Sequence, residues 1–156
     1  MRRLAPIAVA LIAVFALGGA VAASAGQPKQ PPAGAWKVSG GVGGFTLKKG
    51  KGGKVLLTNF HLRTPAYEAC ESKEATARVV GSYSLKTFTR GGYTAWGVGK
   101  NKGGDAVEQA GKVEFGGKVR DGGFYVIFDY ENPRQAIGGS ISFGDCRAEF
   151  AFATPK

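Results

Sequence analysis

From Trp36 onward, apolar residues recur at every second position in short runs, and glycine-rich turns separate those runs. Such a pattern suits half-buried strands and excludes long amphipathic helices, whose apolar positions recur every three or four residues. The last run is the clearest. Cys146, Ala148, Phe150 and Phe152 point one way, while Arg147, Glu149 and Ala151 point the other. Phe124, Val126, Phe128 and Tyr130 alternate with Tyr125, Ile127 and Asp129, so that strand is apolar on both faces and is expected to be central. Val113, Phe115 and Val119 form another inward set, and Gly116-Gly117 within it predicts a bulge or sharp bend. Ile137, Ile141 and Phe143 make a further strand beside Ser140 and Ser142.

Two hairpins are expected upstream. Phe45 and Leu47 lead through Lys48, Lys49, Lys51 and Lys54, set among glycines, into the β-rich run from Val55 to Leu62. Leu85 to Thr89 and Tyr93 to Val98 flank Arg90-Gly91-Gly92. Only Tyr67 to Ala77 suggests a helical turn, on which Glu68, Glu71 and Glu74 would lie near one another. With 26 glycines and about nine strands, the expected fold is all-β: a two-sheet antiparallel β-sandwich or jelly-roll, with an open β-barrel as the alternative.

The N-terminus has a different character. Met1-Arg2-Arg3 precedes an apolar stretch from Leu4 to Leu17, and small residues end at Ala23-Ser24-Ala25. A charged start, an apolar centre and an A-x-A site predict a signal peptide over residues 1–25, removed on export by the general secretory route. Gln27 to Ala33 is proline-rich, so residues 26–34 form an extended leader and 35–156 a single β-domain. No second long apolar run follows, so no membrane span is expected after cleavage. The mature chain would be secreted, extracellular or associated with the cell envelope. It retains Cys70 and Cys146, which can make only one intramolecular pairing, in a compartment where disulfides persist. Closing so long a loop is worth roughly 4 kcal/mol in the chain-entropy model.

These features resemble a family of small secreted bacterial proteins of unknown function, found mostly in high-GC lineages. The resemblance rests on Gly34-x-Trp36, on Phe45-Thr46-Leu47 before a glycine-lysine turn, and on Val55 to Leu62 running toward Cys70. Ala136-x-Gly138 before Ser140-Ile141, and Cys146 opening an aromatic strand, extend it to most of residues 34–153. Phe150 stands where a tryptophan is more usual. The resemblance implies a β-sandwich with the two cysteines bridged, and it carries no catalytic residues.

Taking Arg2 and Arg3 from the 21 basic residues leaves 19 against 11 acidic ones, a formal charge of +8 for the mature chain. Outside the cell such a charge favours anionic partners. Lys48, Lys49, Lys51 and Lys54 form a compact basic tip, with Arg90, Lys100 and Lys102 as candidate neighbours in other loops. No specific nucleic-acid motif accompanies them. His61 is the only histidine, which excludes a metal site built on two imidazoles, and its place between Phe60 and Leu62 turns it away from the core. There is no G-x-S-x-G elbow and no phosphate-loop spacing. Neither a metal nor a cofactor is expected.

Three functions follow in order of preference. The first is a non-enzymatic secreted protein that holds an anionic envelope or extracellular polymer through its basic loops. The second is a carbohydrate-binding module using exposed aromatics, with Tyr93 and Trp96 as the platform among Trp36, Tyr67, Tyr93, Trp96 and Tyr125, and Trp36 expected in the core. The third is a glycoside hydrolase-like enzyme pairing Glu114 with Asp129 or Glu131. Asp129-x-Glu131-Asn132 also suggests part of a calcium loop, without the remaining ligands of one.

Overall fold

The computed structural model describes residues 29–65, 68–71, 74–90, 92–102 and 105–156. Residues 1–25, expected to be a signal peptide, and Tyr67 lie outside the described residues. The order is β1 (Gly34–Val38), β2 (Gly43–Lys49), β3 (Val55–Arg63), β4 (Thr76–Val80), β5 (Ser82–Ser84), β6 (Lys86–Arg90) and β7 (Tyr93–Val98). Then come β8 (Lys100–Lys102), β9 (Asp105–Val107), β10 (Gln109–Phe115), β11 (Lys118–Asp129), β12 (Ala136–Phe143), β13 (Cys146–Phe150) and β14 (Ala153–Pro155). The all-β antiparallel class is therefore as expected. Among the described residues the strands number fourteen, more than the nine or so expected, because β5, β8, β9 and β14 are three-residue pieces whose alternation is too short to register.

All but β8 and β9 belong to one hydrogen-bonded sheet, which runs β12-β14-β1-β2-β3-β4-β10-β11 and returns to β12. The two layers that face each other across the core are thus parts of one rolled sheet. Two long strands make this closure. Along one edge of β11, β10 pairs with residues 118–124 and β7 with 126–129, while β12 occupies the other edge. β3 likewise pairs with β2 on one edge and with β4 and then β5 on the other. Closing a sheet on itself leaves few unpaired edges, which otherwise invite association with other chains.

The interior is aromatic. Phe45 lies 5.4 Å from the Trp36 ring, 6.0 Å from Phe60, 5.8 Å from Phe128 and 6.3 Å from Phe150, so its ring touches three different parts of the barrel wall. In β3 the inward set changes phase. Val55, Leu57 and Thr58 are buried, and so are Phe60 and Leu62. The change occurs where Asn59 takes a φ of 53° and the register against β2 shifts between Gly44 and Thr46, the signature of a bulge. Pro31 is buried, and Trp36 Nε1 donates to the Pro32 carbonyl at 3.2 Å, so the end of the proline-rich segment lies against the barrel.

Several inward assignments are corrected. Gly116-Gly117, at φ 56° and 74°, is the two-residue turn of the β10–β11 hairpin and not a bulge within one strand. Pairing across that turn puts Val119 opposite Glu114 on the outer face, and it is 57% exposed. β13 ends at Phe150, and the chain then crosses from β12 to β1, which leaves Phe152 half-exposed. Ile137 is also half-exposed. No helix forms among the described residues between 67 and 77. Glu71 and Glu74 pair with different arginines, Arg120 and Arg63.

Cys70 and Cys146 are bridged and buried, tying the connection after β3 to the start of β13 across 76 residues of sequence. Replacing both cysteines by serine is expected to lower stability by about 4 kcal/mol through loop entropy alone. Urea unfolding followed by circular dichroism would read this as an earlier midpoint with an unchanged native spectrum.

Candidate polyanion-binding pole

The antiparallel registers give the barrel two poles. Strand β3 starts at one pole with Val55 and ends at the other with Arg63, and β4 leaves the second pole with Thr76 opposite Arg63. The β2–β3 turn therefore lies at the first pole and the disulfide at the second. Lys48 and Lys49 close β2, Lys51 sits in the short helical turn Lys51–Gly53, and Lys54 precedes β3. All four are exposed.

Two lysines missed in the sequence join them. The Leu85 N–H donates to the Val55 carbonyl at 2.8 Å, which brings Lys86 beside Lys54. The Lys156 N–H donates to the Ala35 carbonyl at 2.9 Å, next to the Gly34–Leu47 pair of β1 and β2. Lys86 and Lys156 are also exposed. Among the described residues none of these six lysines makes an ion pair. Arg90 ends β6, and Lys100 and Lys102 are on β8, which lies against β6.

The other pole holds charges of both signs in pairs. Arg63 bonds Glu74, Arg120 lies 3.9 Å from Glu71, and Arg147 lies 3.5 Å from Glu149, while Lys112 meets Asp121 at 2.6 Å midway along β10 and β11. Beside the disulfide an open cleft of about 1020 Å³ is lined by Arg63, Glu68, Glu74, Asp145, Arg147 and Glu149, together with Val42, Pro65 and Ala69. Among the described residues no three histidine, cysteine or carboxylate side chains, those of this cleft included, stand together so as to hold a metal ion.

The remaining sequence candidates separate. Glu114 pairs across the hairpin with Val119, and Asp129 lies ten residues further along the unbroken β11. At about 3.3 Å per residue that separates them by on the order of 30 Å, far beyond the roughly 9.5 Å upper limit for a glycosidase pair. Glu131 is further still along the chain. Asp129 instead accepts the backbone N–H groups of Glu131 at 2.9 Å and Asn132 at 3.0 Å, fastening the turn after β11. His61 faces away from the core, half-buried, with Nδ1 2.9 Å from the Asn59 carbonyl oxygen.

Tyr93 and Trp96 do not form one platform. They are three residues apart in a regular strand, so they project to opposite faces. Tyr93 is 80% exposed on the outer face. Trp96 is half-buried on the face that continues the core, opposite Phe128, and stacks on Tyr130 at 5.9 Å and 28°. Tyr125 is half-buried, and Trp36 is in the core as expected.

A polar cluster escaped the sequence reading. Glu108 follows β9 and accepts hydrogen bonds from the Ser140 hydroxyl at 3.0 Å and from the Ser142 hydroxyl, with Arg147 3.9 Å away. A side chain at Gly123 would meet the Glu108 carboxylate at 2.5 Å, so the bare backbone of β11 is what seats it. Ser140, although on the outer face, has no exposed surface. Glu108 therefore clamps the chain after β9 onto the barrel wall, a contact between residues 32 apart that no local pattern announces.

No protein-family model, curated protein or solved structure matches this chain. Glu108→Ala is expected to leave the two serine hydroxyls without their acceptor, to speed amide hydrogen exchange through β8 and β9, and to cost about 1 kcal/mol. Unchanged exchange in those strands would show that the clamp does not hold them.

Proposed function

We propose that this protein is a secreted, non-enzymatic binder of anionic polymers of the cell envelope or extracellular space, and that the lysine pole is its binding surface. Residues 1–25 serve as the signal peptide in this reading, and the disulfide suits the oxidising compartment to which export leads. The observation that supports it is the gathering of Lys48, Lys49, Lys51, Lys54, Lys86 and Lys156 at one end of the barrel, exposed and without ion pairs among the described residues. Charges of one sign collected in this way raise a local potential that attracts polyanions, whereas the arginines of the other pole are answered by neighbouring carboxylates. Lysine is a mobile point charge, suited to a flexible chain of anions more than to one fixed planar group. No observation favours the hydrolase reading, because the acids proposed for it stand at opposite ends of β11.

The variant K48E/K49E/K51E/K54E is expected to weaken binding to immobilised polyphosphate by at least about tenfold at physiological salt, since exposed charges act over roughly 8 Å there. Wild-type retention should fall steeply as salt rises. Retention that ignores both the substitutions and the salt would overturn the proposal. Because the four side chains are exposed, melting temperature should stay close to that of the wild type.

A further inference from the structure

The hairpin of β6 and β7 extends the sheet beyond the end of β10 along the same edge of β11. Its core-facing side passes from buried to exposed along the hairpin. Val98 is buried, Trp96 is half-buried beside the core residue Phe128, and Thr94 is exposed. Thr87, paired with Trp96 on the same face, is exposed too. Tyr130, one step past the Asp129–Ala95 pair, stacks on Trp96. The result is a ledge that carries two stacked aromatic rings flanked by threonine hydroxyls.

That combination has a chemical counterpart. A pyranose ring presents an apolar C–H face and a rim of hydroxyls, which match an aromatic surface and short hydroxyl side chains. The base of β6, the edge strand, lies beside the lysines, because the hydrogen bond from Leu85 N–H to the Val55 carbonyl ties it to the residue after Lys54; Lys86 stands on the opposite face of the hairpin from Thr87 and Trp96, across that edge. Among the described residues, the lining of the cleft at the disulfide pole includes no aromatic side chain. We infer that the partner is an anionic polysaccharide, its charges met by the lysine pole and a sugar ring resting on Trp96 and Tyr130 between Thr87 and Thr94. This builds on the polyanion reading and corrects the sugar platform, replacing Tyr93 by Tyr130.

The test compares heparin, a sulfated polysaccharide, with sodium polyphosphate, a polyanion without sugar, against the full protein. Tyr130→Ala, and separately T87V/T94V, are each expected to weaken heparin binding about tenfold while leaving polyphosphate binding within about twofold. The threonine variant changes only exposed side chains, so it stays informative if Tyr130→Ala unfolds. Heparin should also alter tryptophan fluorescence, and the change should come from Trp96, since Trp36 is 1% exposed. Heparin affinity unaffected by both variants, equal losses toward heparin and polyphosphate, or heparin binding with unchanged fluorescence would overturn the inference. The lysine variant K48E/K49E/K51E/K54E separates the two levels. If it binds polyphosphate as the wild type does, the polyanion reading itself falls, whereas failure of the ledge variants alone removes only the polysaccharide.

Discussion

The fold depends on the closure between β11 and β12. β11 is twelve residues long and carries β10 and β7 in succession on one edge, so the free edge on its other side would expose a long row of backbone donors and acceptors. Pairing that edge with β12 converts an open sheet into a ring and at the same time encloses Phe45, whose ring meets Trp36, Phe60, Phe128 and Phe150. Hydrogen bonding and aromatic burial are satisfied by one geometric act. The strands β1, β2, β3, β11 and β13 supply those rings from distant parts of the sequence, so the core cannot assemble before the sheet curls.

The same ring distributes the charges unevenly, although Asp129 and Glu131 also stand at the end of β11 away from the disulfide. Strand direction fixes which residues reach each pole, and the turns at the disulfide end bring arginines together with acids while the β2–β3 turn and the C-terminus bring lysines alone. Exposed ion pairs of this kind contribute little to stability, typically 0.2–1 kcal/mol as an approximate range. Their consequence is electrostatic: paired charges cancel at a distance and unpaired ones add. The basic character seen in the composition is therefore not spread evenly over the molecule.

What could be read from the sequence was whatever depends on neighbours along the chain. The alternation Phe124-Val126-Phe128 identified a central strand with a fully buried inner face, and the glycine-flanked lysine run identified a hairpin, because both are local. Val119 was misplaced by a local ambiguity. Two glycines between alternating runs fit either a bulge or a tight turn, and the choice reverses the face of every residue after them. Closure, the Glu108 clamp and the addition of Lys86 and Lys156 to the lysine pole all rest on pairings between distant segments, which no window of sequence contains. The sugar platform failed for a reason that was visible: Tyr93 and Trp96 differ by an odd number of positions, and a strand places such residues on opposite faces.

The ring closes without the β6–β7 hairpin. The hairpin's inner half has a structural role, since Val98 is buried and Trp96 covers the end of the core at Phe128. A hairpin needed only for that could turn soon after Trp96. Instead it continues through Thr94 to Tyr93 and returns by Thr87, ordering residues that bury little surface and so recover little of the conformational entropy lost. Such an element stabilises the fold poorly for its length, and its exposed side presents hydroxyls and an aromatic stack where the lysines begin. In the proposed reading, this exposed stretch of the hairpin is kept for a ligand and not for the core.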